Sequence, residues 1–217
     1  MSKNPDFAIS HMALFTSILV FICFTVLAGN SLPARILTGS FFGIMLLAAS
    51  YSIRRMRRIL FYIAVGITVI REFSHFLVPD DLLYAFSTVL GVLFFLFIVY
   101  QLIRQVAQSR EVDRRVILES INAYLLMGIS GSLLFMLVHH LQPAAFSVPG
   151  SQAPALSDFI YYGFVTQTTI GYGDIIPVSD LARLLSLALG ISGQLYIAII
   201  ISMLVGKFLS AQVERIV

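Results

Sequence analysis

Thr166-Gln167-Thr168-Thr169-Ile170-Gly171-Tyr172-Gly173-Asp174 is the stretch on which the reading of the whole chain turns. Glycine enters left-handed backbone without steric cost, so Gly171 and Gly173 let this segment alternate between ordinary and left-handed conformations. Such alternation brings successive backbone carbonyls round to one side. The segment lies between two long apolar runs, about Val116 to Leu141 and about Leu181 to Leu209. Non-helical backbone at membrane depth is tolerated only where it is buried in protein or lines water. A tight glycine turn between two helices needs neither the preceding threonines nor the apolar flanks.

Composition places the chain in a bilayer. Of 217 residues, 59% are hydrophobic and 12% charged, with a mean hydropathy of +0.93, which excludes an ordinary soluble domain. The net charge is only +3, and the basic residues cluster between apolar runs, a footprint of membrane orientation and not of nucleic-acid binding. The lone cysteine, Cys23, excludes an intrachain disulfide and reads as a small packing residue. Without tryptophan, the interfacial belts fall to tyrosine and phenylalanine.

Four further apolar runs precede the pair that flanks the glycine segment: about Met12 to Gly29, Ala34 to Ile53, Ile59 to Val78 and Leu82 to Ile103. Each is close to the ~20 residues that cross a bilayer. The first is longer than the apolar core of a signal peptide, so it reads as a retained helix. Asn30-Ser31-Leu32-Pro33 reads as a turn, and Gln142 to Pro154, with Pro143, Pro149, Gly150 and Pro154, as loop. Between Arg104 and Glu119 charges of both signs mark a linker at the membrane surface. Gly128, Ser130, Gly131 and Ser132 suit close helix approach in lipid. Ser157 is the expected N-cap of a short helix to Thr168, with Asp158 in its first turn. With a cytoplasmic N-terminus, the Arg54–Arg58 cluster, the 104–115 linker, Lys207 and Arg215 all fall inside, and Arg35, Arg71 and Arg183 near the outer side. Both termini are then cytoplasmic. The fold class expected is an all-α membrane protein.

The glycine segment resembles the selectivity-filter signature of tetrameric potassium channels, in which a threonine-rich helix end runs into T-V-G-Y-G-D. Ile170 replaces the usual valine. The resemblance implies rings of backbone carbonyls from Thr169, Ile170, Gly171 and Tyr172 that replace the hydration shell of K+. Gly173 completes the filter, and the Thr169 hydroxyl adds the innermost ring. Tyr172 is expected to point away from the axis and brace the filter, with Thr168, Tyr162 and Asp174 supporting it and its outer mouth. Residues from about Val116 to Leu209 resemble the pore module end to end: outer helix, re-entrant pore helix, filter, inner helix. The pore helix aims its C-terminal dipole at the cavity, which favours a cation there. In such channels a glycine midway along the inner helix acts as a hinge, a role that falls to Gly193 or Gly190, with close packing as the competing role. Gln194, Ile197, Ile201 and Val205 fall where related inner helices face the cavity or lower gate.

The expected architecture is six transmembrane helices plus the re-entrant helix and filter loop, in a prokaryotic-type channel with one pore loop. Residues 1–103 form a four-helix bundle, 104–115 a cytoplasmic linker and 116–217 the pore domain. One motif copy supplies one quarter of a ring, so the resemblance implies a homotetramer. Lipid and potassium ions are the other partners, and no cofactor or nucleic acid is expected. The run Leu82 to Ile103 carries no basic residue, so the bundle is not expected to sense voltage. Arg71 and Glu72 are the intramembrane charges of the bundle, near the outer end of its third helix, and are expected to pair or snorkel. The short tail after Gly206 and the short loops suggest the inner membrane of a prokaryote, without a nucleotide-binding or ion-sensing domain. Where many relatives carry glutamate four residues before the filter threonine, this chain has Val165, so Tyr161 or Tyr162 is left to hydrogen-bond near the filter.

Other classes fit less well. A non-selective cation pore needs the same loop in a looser geometry. A haem-binding redox protein would draw on His75, His139 and His140, but an adjacent pair cannot face one plane. Related transporters carry several degenerate filter copies, against one intact copy here. No nucleophile and base pair up for an intramembrane hydrolase.

Overall fold

A computed structural model describes residues 5–28, 32–53, 57–76, 81–109, 112–148 and 154–213. Several residues named above lie outside the described set: Gly29, Asn30, Ser31, Arg54, Val78, Pro149, Gly150 and Arg215, with the side chains of Arg35, Arg71, Glu72 and His75. The described residues form seven helices and one short ribbon: α1 (Pro5–Leu27), α2 (Leu32–Ser52), α3 (Arg57–Phe76), α4 (Asp81–Gln108), α5 (Arg114–Leu141), β1 (Phe146–Ser147), α6 (Leu156–Gln167), β2 (Ile176–Pro177) and α7 (Asp180–Val213). Nearly all helix, the chain has the architecture of an all-α membrane protein.

Among the described residues, four helices are long and apolar enough to cross a bilayer: Ile9–Leu27, Ala85–Gln108, Arg114–Leu141 and Asp180–Leu209. In α2 and α3 the apolar stretches, Ile36–Ser52 and Arg58–Ile70, are shorter. Hydroxyls inside these helices are satisfied locally. Thr25, Thr38, Thr68, Ser130 and Ser132 each donate to the carbonyl four residues back, which keeps them paired where water is scarce.

The ends depart from expectation where a polar or cyclic residue enters a helix. Leu32 and Pro33, expected in a turn, open α2, because proline's missing N–H is no loss in a first turn. α4 runs on to Gln108, so Arg104 belongs to that helix and not to a linker. α5 begins at Arg114, capped by Asp113, whose carboxylate accepts from the Val116 amide at 3.0 Å. α6 is capped two residues earlier than expected. Its N-cap is Ala155, not Ser157, because Asp158 supplies the polar contact by accepting from the Ala155 amide at 2.7 Å. Gln142 to Pro154 is not all loop. Phe146 pairs with Pro177 and Ser147 with Ile176 in an antiparallel ribbon, and the Ala145 carbonyl accepts from Val178 and Ser179.

Helices α1 to α4 pack in sequence, and α1 and α4 both lie against α5. Phe21, Phe42 and Phe95, all fully buried, pack ring to ring through the middle of the bundle, Phe21 tilted against Phe42 at 5.9 Å and Phe42 edge to face with Phe95 at 5.6 Å. This core continues without a break into Leu126, Ile129 and Leu133 of α5 and Ile160 of α6. Helices α1 to α4 and helices α5 and α6 of one chain therefore share one interior. The short connection between Gln108 and Arg114 dictates this, since a few extended residues at ~3.5 Å each cannot carry α5 to a distant neighbour.

Where α1 meets α5, a polar cluster sits among these apolar side chains. Glu119, fully buried, is contacted by His11 at 3.2 Å and Arg115 at 2.7 Å, and Asn122 donates to the His11 carbonyl at 2.9 Å. Glu119, expected in a surface linker, is thus an interior residue. The helical register turns it toward α1.

Candidate functional site

The site is built on the end of α6. Thr168 caps the helix, and Thr169, one residue on, takes a positive φ of 59°. The Thr169 amide donates to the Thr166 carbonyl at 3.1 Å, and the Ile170 amide to the Val165 carbonyl at 3.0 Å. Paired bonds of this kind across a left-handed residue make a Schellman termination, usually placed on glycine. A β-branched residue there is strained by ~1–2 kcal/mol, and nothing in the sequence marked it. Gly171 and Gly173 follow with φ of 60° and 77°, the two positions where glycine was expected to relieve the backbone.

These bonds also orient the chain. The amides of Ile170 and Gly171 both point back at Val165 O, at 3.0 and 3.4 Å. In a trans peptide the carbonyl lies opposite the N–H. The Thr169 and Ile170 carbonyls therefore point away from α6, to the side on which residues 169–174 are exposed. Behind the segment lies a cavity of about 260 Å³ lined by Val165, Thr166, Thr169, Gly171, Gly173 and Asp174 among others.

Neighbouring side chains hold the segment at several points. The Thr168 hydroxyl turns back to the Phe164 carbonyl at 2.7 Å, and Thr169 Oγ1 accepts from Gln194 of α7 at 3.3 Å. The Tyr172 ring lies parallel to that of Tyr161, centroids 6.5 Å apart. Tyr161 donates to Asp174 Oδ2 at 2.6 Å, and the Ile175 amide donates to Oδ1 at 3.0 Å. The Tyr161 hydroxyl chiefly, with the Ile175 amide adding, holds the Asp174 carboxyl below the ordinary carboxylate range. Tyr162 is buried and shares a hydrogen bond of 2.7 Å with Ser186 of α7, so it ties two helices together without touching the segment's polar atoms. Under the loop, Phe135, Phe146, Phe159 and Tyr162 make an aromatic cluster, with centroids 4.9 to 5.6 Å apart.

The candidate hinge glycines are not alike. A Cβ on Gly193 would collide with the Gln167 carbonyl, whereas one on Gly190 would meet the Thr166 carbonyl at an ordinary 3.6 Å. Close approach accounts for Gly193. Gln194, Ile201 and Val205 are exposed on α7 and Ile197 is half-buried. The His139 ring packs against Phe159 at 5.3 Å, an aromatic contact within the same cluster.

Residues 123–210, less than half of the chain, match the ion channel family. That segment is similar to known ion channels. Two pore potassium channel b of Oryza sativa subsp. japonica is 36% identical over 95 residues, 44% of this chain and 22% of that protein. Two-pore potassium channel 1 of Arabidopsis thaliana is 35% identical over 72 residues, 33% of this chain and 18% of that protein. The chain thus spans about a fifth of the length of these curated relatives. No solved structure matches it. The matched segment starts within α5 and includes α6, the loop and nearly all of α7. With four membrane-length helices, the protein is an integral membrane protein.

Proposed function

We propose that the chain is one subunit of a homotetrameric, potassium-selective channel that passes K+ passively and performs no enzymatic reaction. In this reading Thr169, Ile170, Gly171 and Tyr172 offer carbonyls to dehydrated ions, Gly173 completes the filter, and Asp174 makes the outer mouth attractive to cations. Potassium ions are the only bound species required. All six long helices span the bilayer, both termini are cytoplasmic, and the setting is a prokaryotic inner membrane.

The observation that carries this reading is the orientation of the Thr169 and Ile170 peptides, with amides drawn back to Val165 and carbonyls turned outward. The similar proteins, named as potassium channels, support it. Support for the tetramer is the apolar stripe of α7, Leu184, Leu187, Ile191, Leu195 and Ile199, which one chain leaves exposed. Voltage sensing is not part of the proposal. Within α4, Arg104 is the one basic residue, near the C-terminal end, and one charge that close to the surface crosses little of the field.

The test is cation flux from proteoliposomes loaded with potassium or sodium, for the wild type and Gly171→Ala. Potassium efflux far above sodium efflux, lost in the variant, is the expected outcome. Equal fluxes would make the protein a non-selective cation pore.

A further inference from the structure

We infer that Lys207 latches the cytoplasmic end of the inner helix to the end of α4, and that this latch holds the lower gate open. The inference rests on the channel reading above. It starts from a contact between elements about a hundred residues apart in sequence. Lys207 Nζ donates to the Val106 carbonyl at 2.6 Å, the Ala107 carbonyl at 2.9 Å and Ser109 Oγ at 3.2 Å. An ammonium has three protons, and all three find an acceptor here.

The acceptors are of a particular kind. Val106 and Ala107 lie in the last turn of α4, where intrahelical partners for carbonyls run out and the helix dipole is negative; the Val106 carbonyl also accepts from the Ser109 amide at 3.3 Å and the Ser109 hydroxyl at 2.7 Å. Lys207 thus works as a C-terminal cap supplied by a different helix. Beside it, Val106 of α4, Val116 of α5 and Ile200 of α7 form a small apolar cluster joined by Met203 and Leu204. One turn further up α7, the Tyr196 hydroxyl donates to the Ser120 carbonyl at 2.6 Å. The end of α7 is therefore fastened to the peripheral helices by a charged cap, an apolar cluster and a tyrosine anchor.

The fastening has a direction. Val205 and Phe208, which flank Lys207, are exposed, on the side left free for other subunits. Holding α7 to α4 opposes its collapse toward that free side. Any displacement of the α4 end is passed to the gate through Lys207, without arginines crossing the field. The four-helix bundle thereby gains a role in the channel.

Single-channel recording in planar bilayers of the full chain tests this with Lys207→Met, Lys207→Arg and Ser109→Ala. Lys207→Met is expected to lower open probability about tenfold, as the loss of charged hydrogen bonds predicts, with unit conductance and potassium-over-sodium selectivity unchanged. Lys207→Arg, which keeps charge and donors, should stay near wild type, and Ser109→Ala should fall between. Amide exchange over residues 105–109 should quicken in Lys207→Met alone of the lysine variants. Open probability unchanged or raised in Lys207→Met, against a wild type that conducts selectively, overturns the latch while the pore reading stands. A wild type that passes no selective potassium current overturns the pore reading, and the gating role with it.

Discussion

The Tyr161 hydroxyl donates to Asp174 Oδ2 across 2.6 Å, and so ties the middle of α6 to the residue just past the glycine segment. The two ends of the loop are thereby clamped, one by the helix cap at Thr169 and the other by this bond. The position four residues before Thr169 is Val165, which has no polar side chain to give. Tyr161, a turn earlier, supplies the partner for Asp174 instead.

This bond has a pH signature. The Asp174 carboxyl is held below its ordinary range, so the bond and the mouth charge are intact at and above that range and are lost as pH falls through the lowered value. In Tyr161→Phe the carboxyl returns upward, and the acid block of potassium current is expected to begin at higher pH. External pH titration of single-channel current checks the shift. A midpoint unmoved in the variant means that Tyr161 does not set the Asp174 charge.

Gly193→Ala and Gly190→Ala separate packing from bending. The first places a methyl against the Gln167 carbonyl and is expected to destabilise by ~1–3 kcal/mol, lowering the circular-dichroism melting midpoint in detergent. The second meets only ordinary contact and should melt like wild type. If Gly190→Ala alters open probability without altering the melt, the bending point is Gly190.

Glu119→Ala should be among the most disruptive single changes in the chain. It removes the buried acceptor of His11 and of the partly exposed Arg115, and a buried donor left unpaired costs ~1–3 kcal/mol. Glu119→Gln keeps the shape and part of the hydrogen bonding and should lose less. The ratio of folded oligomer to aggregate on size exclusion distinguishes the two.

Thr169→Gly and Thr169→Ser probe the strained residue. Glycine removes the left-handed penalty, worth ~1 kcal/mol, but also the hydroxyl that accepts from Gln194. Serine keeps the hydroxyl and is expected to conduct like wild type. Lower conductance in Thr169→Gly with a raised melting midpoint would separate the strain from its use.

Much of this was legible in the sequence, for reasons that differ by residue. Gly171 and Gly173 announce their conformation, because few other residues adopt it, and the helical runs announce themselves by length and apolarity. Glu119 was hidden because a charge beside a basic stretch looks like surface, and only the helix register turns it inward. The strain at Thr169 left no trace, since a threonine reads the same in either conformation. Contacts such as Lys207 with Val106 join residues far apart in the chain, and one-dimensional pattern carries no signal for them. The Ala145 and Val178 bridge was missed because a proline-rich stretch conceals short pairing.

The Schellman termination of α6 has a consequence for biogenesis. Both its hydrogen bonds close within one chain, so the loop takes its curvature during the folding of a single subunit. In the tetramer proposed above, subunits would meet with their carbonyls already turned, and association would have to position the loops, not remould them. A length change of one residue inside α6 would rotate the whole loop about the helix axis by ~100°. The spacing between Leu156 and Thr169 is thereby as strict a requirement as the glycines themselves.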